Sequence, residues 1–196
     1  MIELLTADTP NGKKISIMLE EIGYEYKITK VDLGNGDQFK KEFRKISPFS
    51  KIPVIIDHKN NVSIFESGAI LVYLAEKFGA FLPSIGPERS ECMSWLFWQM
   101  GSAPYLGGGF GHFYAYAPER WEYPINRYSM EVKRQLDVLD RNLATREFLC
   151  GDVYNIADIA TYSWYGQLVL TGLYNSKEFL DVESYRHVIR WATEIH

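Results

Sequence analysis

The chain is poor in cysteine: among its 196 residues only Cys92 and Cys150 carry thiols, far apart and in no C-x-x-C or C-x-x-H pairing. That pattern excludes a disulfide-framework scaffold and a zinc module, and both cysteines are expected to be packing residues. Histidine is scarce too. His58, His112, His187 and His196 share no metal-ligand spacing, so no metal is expected. No cluster of Lys and Arg is arranged to track phosphates, and 21 basic against 25 acidic side chains give a net charge of −4, which argues against a nucleic-acid partner. No apolar stretch approaches the roughly 18 residues of a membrane helix. The start, Met1-Ile2-Glu3-Leu4-Leu5, lacks the cationic and long apolar regions of a secretory signal. The expectation is a cytoplasmic protein with no membrane partner. The phosphate-cradle pattern G-x-x-x-x-G-K-[ST], the hydrolase pattern G-x-S-x-G and the zinc-protease pattern H-E-x-x-H are all missing.

What is present is an ordinary globular composition, 46% apolar and 23% charged, with 15% aromatic residues. The length admits one domain or two small ones. Residues up to Leu82 are balanced in charge, and the whole acidic excess lies beyond them.

The first eighty residues alternate short apolar runs with amphipathic ones, as βα units do. Ile2 to Leu5 reads as a strand. Ile15, Met18, Leu19 and Ile22 form one face of a helix over 11–22, with Asn11 as its cap and Gly23 as its stop. A strand over 26–33 and a short helix over 38–44 follow. Val54 to Asp57 and Val62 to Phe65 make a hairpin, and Ile70, Leu71, Leu74 and Phe78 place a helix over 67–78. The order is βαβ and then αββα.

Past a linker around residues 83–87 the pattern turns to long helices. One is predicted over 88–106. A second carries the stripe Ile125, Tyr128, Val132, Leu136, Leu139 and Leu143. A third starts at the capping box Asn155-Ile156-Ala157-Asp158 and runs towards Leu170, and a last one begins near Val182. Gly107 to Gly111 lacks the strand-before, helix-after context and the lysine of a phosphate loop, and is expected to be a bent connection between helices. The domains are therefore drawn as 1–82 and 88–196.

Three points carry polar groups at loop ends of the first domain. Thr9-Pro10-Asn11 lies between strand and helix, where backbone N–H groups and the helix dipole favour an anion such as a thiolate; the alternative is that Asn11 merely caps the helix. Ile52-Pro53-Val54 sets a proline before a strand. The plain reading is a trans proline that starts the strand, whereas a cis bond would let the flanking backbone pair with an extended peptide. At Glu66-Ser67-Gly68 the Ser67 hydroxyl is placed as a helix cap able to hold a carboxylate, and Glu66 is able to accept from an ammonium. A ligand with an α-amino-acid end fits both.

With these residues the sequence resembles a glutathione transferase. Thr9-Pro10-Asn11-Gly12, Gly36-Asp37-Gln38-Phe39, Lys51-Ile52-Pro53, Phe65-Glu66-Ser67-Gly68 and Trp95-Leu96-Phe97-Trp98, with the glycine run and Phe113-Tyr114, resemble the bacterial nu class, the glutathione-dependent disulfide-bond oxidoreductases. The resemblance implies an N-terminal thioredoxin-like βαβαββα domain followed by an all-helical bundle, and a homodimer. It implies one glutathione with its γ-glutamyl end on Glu66 and Ser67, its backbone beside Ile52 and a cis Pro53, its glycyl end near Gln38 and Lys51, and its sulfur facing Thr9, Pro10 and Asn11. A second glutathione is implied at Met100, Gly101, Ser102, Ala103 and Arg127. Thr9 and Asn11 are then the catalytic pair, and the substrates are small disulfides or organic hydroperoxides. Neither cysteine falls in a loop of the first domain where a thioredoxin-like thiol sits, so the nucleophile is expected to arrive with the ligand. The alternative is a glutathione-binding regulatory or scaffold protein without turnover.

Overall fold

A computed structural model describes all 196 residues, which divide into two compact units, Met1–Ser84 and Ile85–His196. In the first unit β1 (Ile2–Thr6), α1 (Pro10–Ile22) and β2 (Tyr26–Lys30) form a βαβ crossover, followed by a 3-10 turn at Asp37–Phe39 and α2 (Lys41–Ile46). The hairpin strands β3 (Val54–Asp57) and β4 (Val62–Phe65) lead into α3 (Ser67–Phe78). The sheet order is β2-β1-β3-β4, with β1 and β2 parallel and the other neighbours antiparallel. Ile2, Leu4, Ile15, Met18, Leu19, Ile55, Ile70, Leu71 and Leu74 are fully buried between sheet and helices. This is the thioredoxin-like arrangement expected.

Several local expectations are corrected. β2 stops at Lys30 rather than Leu33: Val31 N–H still reaches Thr6 O at 2.8 Å, and then Asp32 and Asp37 bind the loop amides and turn the chain away. The helix expected over 38–44 is split, because Lys40 is extended (ψ 143°) between the 3-10 turn and α2. Thr9, not Asn11, caps α1: its Oγ1 accepts from Gly12 N–H at 3.1 Å, and Pro10 occupies the first helical position, where a missing N–H is harmless. Ser67 is the first residue inside α3, and the preceding Glu66 has φ +71°. The Ile52–Pro53 bond is cis, against the plain trans reading.

The second unit contains α4 (Gly86–Pro104), a π-helical stretch (Tyr105–Tyr116) and α5 (Glu122–Leu143). Then come α6 (Ile156–Thr161), a π-helical turn (Tyr162–Gly166), α7 (Gln167–Thr171) and α8 (Arg186–Ile195). The predicted stripe of α5 buries Ile125, Val132, Leu136, Leu139 and Leu143, with Tyr128 half-buried. The glycine run is helical, not a bent loop. Its glycines let rings approach the backbone: a Cβ on Gly107, Gly109 or Gly111 would collide with the ring of Trp164, Tyr128 or Tyr174 respectively. The last helix starts at Arg186, preceded by a 3-10 turn at Val182–Ser184, because Asp140 on α5 accepts from the N–H groups of His187 (2.8 Å) and Val188 (3.2 Å). No helix is long and apolar enough to cross a membrane.

The capping box at α6 is present and extended. Asn155 Oδ1 accepts from Ala157 N–H at 2.9 Å, and Asp158 Oδ2 accepts from Asn155 N–H at 3.1 Å. Asp158 Oδ1 takes two further donors, Leu149 N–H at 2.9 Å and Trp191 Nε1–H at 3.0 Å. A single buried carboxylate thus joins the loop before α6, the cap of α6 and α8.

Candidate functional site

The strand register assembles the first-unit candidates. Leu5 on β1 is opposite Val54 on β3, and Val54 is opposite Phe65 on β4, so these three residues form one row across the sheet. The chain leaving β1 towards Thr9, the chain entering β3 through Lys51, Ile52 and Pro53, and the chain leaving β4 at Glu66 and Ser67 all meet at that end. Thr6 pairs with Lys30 in the parallel β1–β2 ladder, so the loop carrying Gln38 leaves from the same end.

Each residue there has a defined state. Thr9 is extended, and its oxygen is engaged by Gly12 N–H, which leaves the hydroxyl hydrogen free of that contact and able to donate elsewhere. Asn11 is half-buried on the first turn of α1. A Cβ on Gly12 would strike Thr6 Oγ1 and the Ala7 carbonyl, so the turn that presents Thr9 and Asn11 requires glycine there. Pro53 is buried and Ile52 half-buried against Val31, Phe43 and Val54. Ser47 clamps the approach: its Oγ donates to Lys51 O at 2.8 Å and accepts from Lys51 N–H at 3.1 Å. The exposed Lys51 ammonium lies 5.5 Å from the Phe49 ring centroid, and Gln38 donates to Leu33 O at 3.4 Å. Glu66 is exposed and Ser67 buried.

Lys14 was missed. Its side chain, only 1% exposed, runs beneath this end of the sheet and its Nζ donates to Ser67 Oγ at 3.2 Å, tying α1 to the start of α3. Burial lowers its pKa to about 7, partly opposed by the negative charge of Glu66. The signal was available: Lys14 stands next to Ile15 and four residues before Met18, a charge within the apolar face of a helix. The folded-state pKa lies below the ordinary 10.5, so the unfolded chain binds more protons between the two values and stability rises with pH across that window. Relative to Lys14→Met, the wild type is expected to gain up to about 1.4 kcal/mol per pH unit from pH 7 upward. Urea unfolding of both proteins at pH 7, 8 and 9 measures it; parallel pH profiles would refute the lowered pKa of Lys14.

In the helical unit Met100 and Ser102 are half-buried, Gly101 is exposed and Ala103 is buried, all on the last turns of α4. Ser102 O accepts from Gln135 Nε2 at 3.3 Å. Arg127, exposed on α5, faces Glu131 at 3.6 Å. This ion pair leaves much of the guanidinium open to solvent.

A family model described as Glutathione S-transferase, N-terminal domain, matches residues 3–76, and one described as Nuclear-export cofactor Arc1p matches residues 119–196. The disulfide-bond oxidoreductase YghU of Escherichia coli is 54% identical over 202 residues, covering 99% of this chain and 70% of its own length. The chain belongs to the glutathione transferase family. A crystal structure of glutathione transferase YghU from Streptococcus pneumoniae, complexed with glutathione, superposes with a TM-score of 0.95 at 53% identity, over 99% of this chain and 78% of that one. A glutathione transferase family member from Pseudomonas fluorescens, with two glutathione bound, has a TM-score of 0.92 at 41% identity over 98% and 87%. The glutathione transferase fold, a thioredoxin-like unit followed by a helical one, is therefore the architecture of this chain.

Proposed function

We propose that this glutathione transferase reduces small disulfides, and organic hydroperoxides by the same route, with a thiolate that belongs to glutathione rather than to the protein. In this reading residues 1–82 bind the first glutathione and the helical domain from residue 88 holds the second. The γ-glutamyl carboxylate sits at Ser67 and the first amides of α3, above the Lys14 ammonium, and the γ-glutamyl ammonium faces Glu66. The peptide runs beside Ile52 and Pro53, with Gln38 and Lys51 at the glycyl carboxylate. The sulfur reaches the start of α1 at Thr9, Pro10 and Asn11. The second glutathione lies along Met100 to Ala103 with Arg127 at a carboxylate.

The observation that carries the reading is the common end of the sheet on which Thr9, Asn11, Pro53, Glu66 and Ser67 lie, with a buried cation beneath Ser67. A free thiol of pKa about 8.5 is only a few per cent ionised at neutral pH. Donation from Thr9 Oγ1 and the Asn11 amide, with the positive end of α1, favours the thiolate over the thiol. That thiolate attacks one sulfur of the substrate disulfide, a mixed disulfide forms and one thiolate leaves. The second glutathione then attacks the mixed disulfide, releasing glutathione disulfide. For a hydroperoxide, attack at the outer oxygen releases the alcohol, and the resulting sulfenic acid condenses with the second glutathione to release water. The same reading makes the protein a cytoplasmic, nu-class enzyme, and the family suggests a homodimer associating through the helical surfaces beyond Pro83.

Glutathione and glutathione disulfide are each expected to raise the melting temperature, and glutathione to drive turnover of a small disulfide such as hydroxyethyl disulfide. The Cys92→Ser, Cys150→Ser double variant should retain that turnover within about threefold. Binding without turnover would make this a scaffold; loss of activity in the cysteine-free protein would refute a ligand-borne nucleophile.

A further inference from the structure

The proposed reaction uses neither protein thiol, yet the fold brings Cys92 and Cys150 together. Cys92 comes from α4 and has no exposed surface. Cys150 is half-buried at a tight turn closed by two backbone bonds, Phe148 N–H to Gly151 O at 2.7 Å and Gly151 N–H to Phe148 O at 3.2 Å. The turn is fastened beside it: Leu149 donates its N–H to Asp158, and Leu149 O accepts from Asn142 at 3.0 Å and Arg146 at 3.1 Å. Cys92 Sγ lies 3.2 Å and Cys150 Sγ 4.0 Å from the same atom, Asn155 Oδ1. The two thiols thus converge on one acceptor.

Such a pair holds its protons jointly. Proximity to Cys150 lowers the Cys92 pKa, whereas the neighbouring Cys92 and burial raise that of Cys150. Cys150 is the more exposed of the two residues, so an external disulfide meets it first. Two plain packing cysteines need no shared acceptor.

We propose that Cys92 and Cys150 form a dithiol–disulfide couple, a redox modification site in the helical unit that is oxidised by low-molecular-weight disulfides such as glutathione disulfide. The Cys150 thiolate attacks one sulfur of glutathione disulfide, forming a Cys150–glutathione mixed disulfide and releasing one glutathione thiolate. The Cys92 thiolate then attacks the Cys150 sulfur, the Cys92–Cys150 bond forms and the second glutathione leaves. The two cysteine protons end on the two glutathione thiols; the cysteines are oxidised and glutathione disulfide is reduced. The inference is independent of the reaction proposed at Thr9 and Asn11, since it requires only a disulfide in solution and two residues of the helical unit.

Reduced wild-type protein is incubated, native, with excess glutathione disulfide, quenched in acid, denatured, alkylated and examined by intact mass and peptide mapping. Both thiols are expected to disappear together with no glutathione retained, and one linked peptide pair should contain Cys92 and Cys150. Cys92→Ser should stop at the glutathione adduct on Cys150, and Cys150→Ser should leave Cys92 alkylatable. The proposal is overturned if wild-type protein keeps both thiols free, or if glutathione stays on Cys150 beside a free Cys92. The wild-type result decides even if a variant folds poorly.

Discussion

Asp158→Ala is expected to lower the stability of the helical unit by about 4 kcal/mol, since buried donors that lose their acceptor cost roughly 1–3 kcal/mol each. The side chain is fully buried, and its removal leaves Leu149 N–H, Asn155 N–H and Trp191 Nε1–H without this partner. Against a typical total stability of about 5–15 kcal/mol, the loss removes roughly a quarter to four-fifths of the total. Asp158→Asn separates the contributions. Its Oδ1 keeps the bonds from Leu149 and Trp191, while its amide nitrogen opposes the Asn155 N–H donor, so about half the loss is expected. Urea unfolding followed by far-ultraviolet circular dichroism and tryptophan fluorescence reads the series. A loss below about 1 kcal/mol for Asp158→Ala would refute the role of the carboxylate as the junction of loop, cap and α8.

The same carboxylate has a sign-definite pH dependence. Burial raises its pKa to about 6 from the ordinary 3.8, although the three N–H donors favour the anion. The folded state therefore binds more protons than the unfolded state between about 4 and 6. Its contribution to stability falls as pH rises through that window and is constant above it. The N–H groups offset part of the cost of an ionised carboxylate at neutral pH, which is why deleting the acceptor is worse than leaving it charged.

How much of this was legible in the sequence depended on how local the determinant was. The hairpin strands and α3 begin and end where alternation, Gly79 and the helical spacing place them, because those signals lie within a few residues of the boundaries they set. The Asn155–Asp158 box was readable for the same reason: donor and acceptor are three residues apart. Asn11 was mistaken for the cap of α1 because two good capping residues flank Pro10, and only the backbone decides which lies outside the helix. The glycine run gave the wrong conformation because its glycines answer to Trp164, Tyr128 and Tyr174, far away in the chain. The partner of Lys14, Ser67, and the meeting of Cys92 and Cys150 at Asn155 were invisible for that reason too, since each partner is distant in the chain. Of the candidate site, the residues of the first unit were legible as three separate polar loop ends; their meeting at one end of the sheet follows from strand register.

Loss of the hydroxyl in Thr9→Ala is expected to lower disulfide turnover by about 10²-fold, since one hydrogen bond to a developing or charged atom in a preorganised site is worth about 3 kcal/mol. Asn11→Ala should lower it less, about tenfold, since the start of α1 still favours the anion without that side chain. The difficulty is that Thr9 also caps α1, and removing a cap costs about 1 kcal/mol of stability by itself. Two further variants divide these roles. Thr9→Ser retains both the cap and the donor and should restore most of the turnover. Thr9→Asp caps well but presents only an acceptor and a negative charge to the sulfur, so it should melt near the wild-type temperature and be as inactive as Thr9→Ala. The thiol pKa of bound glutathione, followed by thiolate absorbance against pH, should rise in Thr9→Ala, because a donor to the anion has been removed. If Thr9→Asp is active, or if the bound thiol titrates alike in wild type and Thr9→Ala, the hydroxyl acts only on the helix and the thiolate is stabilised elsewhere.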